Sequence, residues 1–272
     1  MIEKIVDDRV ISFQEMKEKT DKDRANIRWG CKTGFPGIDF AIHDLIPAGS
    51  LVLISGRTGE GKSTLAKSIT KNISFQGIYT LFFTYEELEW QFLEAFGEDM
   101  PMLAYMPMKL TKNTVEWIKS KVQEMKKLNG DKVVVFIDHL HRLINLRQLG
   151  NASLTIGNIV TEIAEIARTE QVILFLLCHL TKTKKFVQSV DKGETKITAI
   201  RPTSDDIRDS SLINAESSLT LTVWRDIKDG SSEDDIMWDN TGKVAVDKNR
   251  IDGEHLPTIK IKKVGKLFTE IL

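Results

Sequence analysis

The sequence predicts an α/β fold: a mostly parallel twisted sheet flanked by helices, continued by antiparallel strands at its C-terminal end. Three observations carry this. From about Trp29 onward, short apolar runs alternate with helical patterns, the order produced by parallel strands joined through crossover helices. Those runs lack period-2 alternation, as expected of strands covered on both faces. Between one such run and the next helix, Gly56-Arg57-Thr58-Gly59-Glu60-Gly61-Lys62-Ser63 matches G-x-x-x-x-G-K-[ST], the P-loop.

The elements follow in order. Residues 1–28 read as a separate arm. Ser12-Phe13-Gln14-Glu15 has the form of a capping box, with Ile11 and Met16 spaced for a hydrophobic staple, so a short charged helix should run to about Arg24. Its apolar residues are too few for a core of its own, though enough to dock on another surface; a frayed terminal helix is the other reading. Residues 29–272 read as one domain. Its strands are expected at 51–55, 79–84, 132–137 and 172–178, and its helices at 62–74, 87–96, 113–128 and 155–169. After 215, short strands separated by turns (219–223, 243–247, 258–263 and 267–271) suggest the antiparallel extension. The stretch from Leu180 to Arg201 has no clear period and reads as a long loop without regular structure.

The chemistry concentrates at strand ends. Leu51-Val52-Leu53-Ile54 leads into the P-loop, and Leu65, Ala66, Ile69 and Ile73 follow it at helical spacing. Glycines let backbone N–H groups turn inward around a polyphosphate, and a helix N-terminus adds a positive dipole. Residues Gly56 through Ser63, with Thr64, are therefore the nucleotide-binding candidates. Lys62 would reach the β- and γ-phosphates and the Ser63 hydroxyl would hold Mg2+. Val133-Val134-Val135-Phe136-Ile137-Asp138 is an apolar strand ending in a carboxylate, so Asp138 is the second metal candidate. Tyr85-Glu86-Glu87 follows the strand at 79–84, where a base that activates water is needed. Either glutamate could serve, or could instead favour a helix dipole from the first turn. His179 ends the strand at 172–178 and could touch the γ-phosphate or merely cap the strand.

Taken together, these pieces resemble the DnaB-like replicative DNA helicases, hexameric motors of RecA-like fold, over about residues 29–270. Thr33-Gly34-Phe35-Pro36-Gly37-Ile38-Asp39 resembles that family's T-G-F-x-x-L-D. Thr84-Tyr85-Glu86-Glu87 resembles S-L-E-M, which puts Glu86 at the catalytic base. Ile137-Asp138-His139-Leu140-His141 resembles I-D-Y-L-Q, and Cys178-His179-Leu180-Thr181-Lys182 resembles S-Q-L-N-R, with His179 as phosphate sensor. Ser204-Asp205-Asp206-Ile207-Arg208-Asp209-Ser210-Ser211 resembles L-S-D-L-R-E-S-G, a strand-phosphate clamp in which Ser211 replaces a glycine. Val223-Trp224-Arg225-Asp226 resembles Y-R-D. Lys248-Asn249-Arg250-Ile251-Asp252-Gly253 resembles K-Q-R-N-G, whose basic residues reach a neighbouring subunit's nucleotide. The resemblance implies ATP and Mg2+ as cofactors, a homo-oligomer with six subunits, single-stranded DNA as partner, and primase or other replisome proteins as further partners. It also implies that the arm is a linker helix docking on the next protomer. The family's collar and primase domains have no counterpart ahead of the core, as in a minimal ring helicase of viral type or the motor half of a longer protein.

Composition narrows the classes. With 272 residues, 41% apolar and 28% charged, the chain is of ordinary globular type, and a net charge of −1 excludes bulk electrostatic binding of nucleic acid. Any such contact must come from local groups: Arg208, Asp209 and Ser211, and Lys182, Lys184 and Lys185 of the 180–201 stretch, with Lys192 and Lys196 beyond them. A solvated surface loop is the alternative for that stretch, and ordinary ion pairing the alternative for Arg142 and Arg147. Trp90 and Trp117 read as core or interface residues. No apolar stretch approaches a membrane span and the N-terminus lacks a signal-peptide pattern. Cys31 and Cys178 lack metal-ligand spacing and read as free thiols in a reducing compartment, with the cytoplasm of a cell or infected host expected and a mature mitochondrial form as the alternative. Two other functions compete with the motor. A RecA- or KaiC-like ATPase without unwinding is disfavoured by the Arg208 and Lys248–Arg250 motifs, and a non-hydrolysing ring adaptor by the intact Lys62, Ser63, Glu86 and Asp138.

Overall fold

The computed structural model describes residues 10–27, 29–110, 112–143, 152–180, 186–191, 194–207, 210–231, 235–251, 253 and 256–271. In chain order the elements are α1 (Phe13–Ile27), β1 (Gly30–Cys31), α2 (Pro36–Ala41), β2 (Ile46–Pro47), β3 (Leu51–Gly56), α3 (Lys62–Phe75), β4 (Tyr79–Thr84), α4 (Glu89–Glu94), β5 (Ala104–Tyr105), α5 (Val115–Asn129) and β6 (Val133–Asp138). They continue with α6 (Ala152–Glu170), β7 (Ile173–His179), β8 (Phe186–Asp191), β9 (Glu194–Ala199), α7 (Ser210–Glu216), β10 (Leu219–Ile227), β11 (Trp238–Asn249), β12 (Thr258–Val264) and β13 (Leu267–Glu270).

Nine strands form one sheet in the order β13-β12-β11-β10-β3-β7-β6-β4-β5. From β10 to β5 every pairing is parallel, and from β10 to β13 every pairing is antiparallel. The fold is therefore RecA-like, a mostly parallel sheet with an antiparallel C-terminal extension. Successive residues of the central strands bury themselves on opposite faces. Val52, Ile54, Phe82, Val134, Phe136, Phe175 and Leu177 join α3 in one core. Leu51, Leu53, Leu81, Phe83, Val133, Val135, Leu174 and Leu176 join α5 and α6 in the other. That double burial is why the sequence shows continuous apolar runs there. Phe82, Phe136 and Phe175 stack across three neighbouring strands, with ring centroids 5.3 and 4.6 Å apart. The sheet ends in short strands: β5 has two residues and β13 four. Beside β13, the Glu270 carboxylate accepts the Gly37 N–H at 3.1 and 3.0 Å.

Two expectations need correcting. The stretch 180–201 is not without regular structure: β8 and β9 pair as an antiparallel hairpin from Phe186↔Ala199 to Asp191↔Glu194. Alternating β-branched residues such as Ile197 and Thr198 favour strand there, and a Lys-Gly pair sits at the turn position. The helix expected at 87–96 begins only at Glu89, so neither Glu86 nor Glu87 lies in its first turn. Both carboxylates are engaged elsewhere, as described below.

The arm forms its helix, α1. Ser12 Oγ accepts the Glu15 N–H at 3.1 Å and Glu15 Oε2 accepts the Ser12 N–H at 3.0 Å, the capping box expected from the sequence. Phe13 is 97% exposed, so its ring is left uncovered. Trp117 meets Phe83 edge-on at 5.7 Å and packs against the core, whereas Trp90 is exposed. Cys31 and Cys178 are buried free thiols, and burial pushes the Cys178 thiol up to about 12. No helix among the described residues is long and apolar enough to cross a membrane.

Candidate functional site

Gly56, Thr84, Asp138 and His179 are the last residues of β3, β4, β6 and β7. The register aligns Gly56 with His179 and Thr84 with Asp138. Parallel pairing thus delivers the P-loop, both glutamates, the strand-end aspartate and the histidine to one edge of the sheet.

The P-loop turns from β3 into α3 through two left-handed glycines, Gly59 (φ 86°) and Gly61 (φ 101°). A Cβ on Gly61 would stand 2.6 Å from the Phe268 ring, so both backbone angle and space demand glycine there. An ion pair fixes the loop from within. Glu60 accepts from the Arg57 backbone N–H at 3.0 Å and from Arg57 Nη1 at 3.2 Å, with both side chains almost fully buried. The same guanidinium donates to the Ile200 carbonyl at 3.0 Å, just past β9. Burial pushes the Glu60 carboxyl above its usual range, opposed by Arg57.

Lys62 lies buried at the start of α3 and donates to the Arg57 carbonyl at 3.3 Å. Burial lowers its proton affinity, while Asp138, Glu86 and Glu60 oppose that shift. A desolvated ammonium beside three carboxylates is a cation held ready for phosphate. Asp138 is buried and its Oδ1 has no hydrogen-bond partner. Burial raises its pKa and the Ser63 hydroxyl pulls it back. An orphaned carboxylate oxygen next to a P-loop hydroxyl is costly unless a cation completes it. Ser63 and Asp138 therefore fit Mg2+, which favours oxygen ligands.

The two glutamates separate by their partners. Glu87 Oε2 lies 2.6 Å from Lys67 Nζ of α3. Glu86 Oε1 instead faces two imidazoles, 2.9 Å from His139 Nδ1 and 3.4 Å from His179 Nε2. Hydrogen bonds from His139 and then His179 hold the Glu86 carboxyl far below the usual carboxylate range. Glu86, Glu87 and His179 line the same cleft as Thr58, Gly59, Gly61, Lys62, Ser63 and Thr64.

Lys248 and Arg250 lie elsewhere. Lys248 pairs with Thr220 near the start of β10, which runs parallel to β3, and the Arg250 N–H donates to the Ser218 carbonyl at 2.8 Å. Ser218 in turn donates to Leu51 at the first residue of β3. Arg250 is thus about 17 Å of strand, five residues at roughly 3.3 Å each, from the chain's own Gly56. Both cations sit on the C-terminal carbonyls of α7: Lys248 Nζ on Asn214 and Ala215, Arg250 Nη1 on Ala215 at 2.6 Å. Burial, with Arg250 close by, lowers Lys248 to about 8.

Of the nucleic-acid candidates, Lys182, Lys184, Lys185, Arg208 and Asp209 lie outside the described residues, as do Lys192 and Arg147. Ser211 is the second residue of α7, and Lys196 lies on β9. Arg142 ends a 3-10 turn after β6. Sequence reasoning missed two features of the site. One is the Arg57–Glu60 pair, which nothing in the P-loop pattern specifies. The other is His139. Its signal was available, because the residue after a strand-end carboxylate occupies the same edge as that carboxylate.

Fold and site together define a P-loop nucleoside triphosphatase of RecA-like fold. The sequence model of the KaiC ATPases matches residues 31–197, more than half of the chain, and the protein belongs to that ATPase family. No curated protein matches the sequence. Among solved structures, the ATPase domain of one DnaB-like helicase is similar with a TM-score of 0.73 at 19% identity, covering 97% of this chain and 100% of that one. A second DnaB-like replicative helicase, described together with its interactions with primase, gives 0.71 at 20% identity over 98% of this chain and 68% of its own. A KaiC-like protein from Pyrococcus horikoshii gives 0.62 at 16% identity over 90% and 100%. The fold is thus shared by DnaB-like helicase motors and KaiC-like ATPases.

Proposed function

We propose that this chain is the motor of a ring-forming DNA helicase, which hydrolyses ATP between subunits and moves along single-stranded DNA to open duplex. The observation that supports the reading most is the split of its cationic groups between two ends of one sheet. Lys62 serves the chain's own P-loop. Lys248 and Arg250 stand at the far end, where only a second copy's nucleotide can meet them. A head-to-tail arrangement of identical subunits closes that gap, and repeated head-to-tail contacts generate a ring, here a hexamer.

In this mechanism the P-loop N–H groups and Lys62 hold the phosphates of ATP. Mg2+, held by Ser63 and Asp138, would supply positive charge to the β- and γ-oxygens. Glu86 accepts the proton of the attacking water, and Arg250 with Lys248 of the adjacent copy neutralises charge on the γ-phosphoryl group. His179 reads whether that group is present. One residue past it, Leu180 bridges to Ile207, next to the segment carrying Arg208, Asp209 and Ser211. Release of phosphate can therefore reach a DNA-contacting loop through a single backbone pairing. Lys182, Lys184 and Lys185 flank the β8–β9 hairpin and add basic charge that ring symmetry multiplies around a channel. Residues 1–28 dock on the next protomer, primase is a candidate partner, and the cytoplasm of a cell or infected host is the proposed setting.

Turnover with and without single-stranded DNA, together with displacement of a strand from a forked duplex, tests the proposal. DNA-stimulated hydrolysis with displacement is expected. The second reading, a KaiC-like oligomeric ATPase that does not unwind, draws on the family match; hydrolysis indifferent to DNA, with no displacement, would select it and reject the helicase.

A further inference from the structure

Glu86 shares one oxygen between two imidazole nitrogens. Among the described residues it forms, with His139 and His179, the one group of three or more His, Cys, Asp and Glu side chains whose ligand atoms converge, all within 4.8 Å of one another. His139 is buried and its ring meets that of His179 edge-on at 4.1 Å. His141 lies further back, 5.7 and 5.8 Å from those rings by centroid.

We propose that Glu86, His139 and His179 form a site for a transition-metal dication such as Zn2+, and that its occupation switches hydrolysis off. Two imidazoles and a carboxylate are a donor set suited to zinc, with a fourth position left for water or a phosphate oxygen. Tetrahedral zinc with bonds of about 2.0–2.1 Å sets its ligands about 3.3 Å apart. The 3.4 Å between His179 Nε2 and Glu86 Oε1 already meets that spacing, and the 2.9 Å to His139 Nδ1 needs a shift of a few tenths of an ångström. Mg2+ dislikes nitrogen donors and stays with Ser63 and Asp138, so the two cations sort by ligand chemistry. Asp138 adds a negative field beside the histidines, as its coupling to His139 and Glu86 records. Binding replaces the protons that the rings share with Glu86, and so releases them to solvent. The bound metal takes the oxygen pair that water activation needs and immobilises His179. This inhibitory consequence rests on Glu86 being the base; the binding itself does not.

The test uses the full chain freed of metal by chelation and without nucleotide, titrated with Zn2+ and, separately, with Co2+ followed by its visible spectrum. The buried thiols Cys31 and Cys178 do not compete. One tight equivalent with a four-coordinate Co2+ spectrum is expected. His139→Asn and His179→Gln retain an amide at the position of the ligating nitrogen, and so can keep the hydrogen bond to Glu86 while losing the metal ligand. Each should weaken Zn2+ binding at least about 10-fold, the lower end of what even outer-shell changes cost. His43→Asn, at an exposed turn residue with φ 50°, should bind as the parent does. Absence of binding by the parent chain overturns the proposal, and so does binding lost in His43→Asn but kept in His139→Asn. In a separate assay, Zn2+ should stop ATP turnover at fixed Mg2+, and a zinc-selective chelator should restore it. Tight binding with turnover unaffected keeps the site but overturns its inhibitory role, and with it the assignment of Glu86 as base.

Discussion

Replacing Glu60 by Met tests how the P-loop is held. The substitution leaves the Arg57 guanidinium, 4% exposed, without its carboxylate, and the Arg57 N–H without its acceptor. Removing one partner of a buried pair costs about 3–5 kcal/mol. The bond from Arg57 Nη1 to the Ile200 carbonyl survives and draws the value towards the lower end. At about 2.1 cal/mol/K per residue, 272 residues have an unfolding entropy of about 0.6 kcal/mol/K. The melting temperature should therefore fall by about 5–9 °C. Arg57→Met combined with Glu60→Met removes the charge altogether. It leaves mainly the orphaned backbone N–H, worth about 1–3 kcal/mol, so the double variant should recover several degrees. Calorimetry without nucleotide is the assay, because bound ligand would add its own stabilisation. A single variant that melts with the parent, or a double variant that melts below the single, would refute the reasoning.

Other outcomes follow from the site. Glu86→Gln should retain nucleotide binding and lose turnover, since an amide cannot take the proton, whereas Glu87→Gln should keep turnover and lose only the tie to Lys67; an active Glu86→Gln with a dead Glu87→Gln would shift the base by one residue. Lys62→Ala and Arg250→Ala should each be inactive alone, the latter by about 10³–10⁵ in rate. Mixed, they should regain hydrolysis at interfaces joining an intact P-loop to an intact arginine, and confirmed mixed assembly without recovery would count against a shared site. Lys248 provides a pH test. Its folded pKa of about 8 lies below the ordinary 10.5, so the unfolded chain binds more protons between those values and stability should rise with pH across that window. Relative to Lys248→Met, the parent should gain stability from about pH 8 to 10.5; parallel stability curves would show that no such depression exists.

The sheet was readable because its central strands are buried on both faces and so write continuous apolar runs. The P-loop was readable because its chemistry dictates residue types at fixed spacing. What was hidden depends on partners distant in sequence. The start of α4 slipped to Glu89 because Glu86 and Glu87 are drawn to His139, His179 and Lys67, which local helix signals cannot register. The β8–β9 hairpin escaped notice because its lysines and polar residues blur the alternation that its β-branched residues carry. His139 lay in plain view after Asp138, but only strand register reveals that it faces Glu86. Lys248 and Arg250 were assigned by motif alone. Their distance from the chain's own P-loop follows from β11 running antiparallel to β10.

The two ends of the strand order have a consequence for how copies of this chain can stick together. An open sheet usually risks edge-to-edge polymerisation, because unpaired N–H and C=O groups template another strand. Here β5 offers two residues, too short a template, and β13 offers four, with the Glu270 carboxylate already taken by Gly37. Strand addition is thereby discouraged at both margins. What is left for contact between copies is the strand termini and the helical faces. A chain built this way can crowd its neighbours at high concentration without seeding cross-β aggregates.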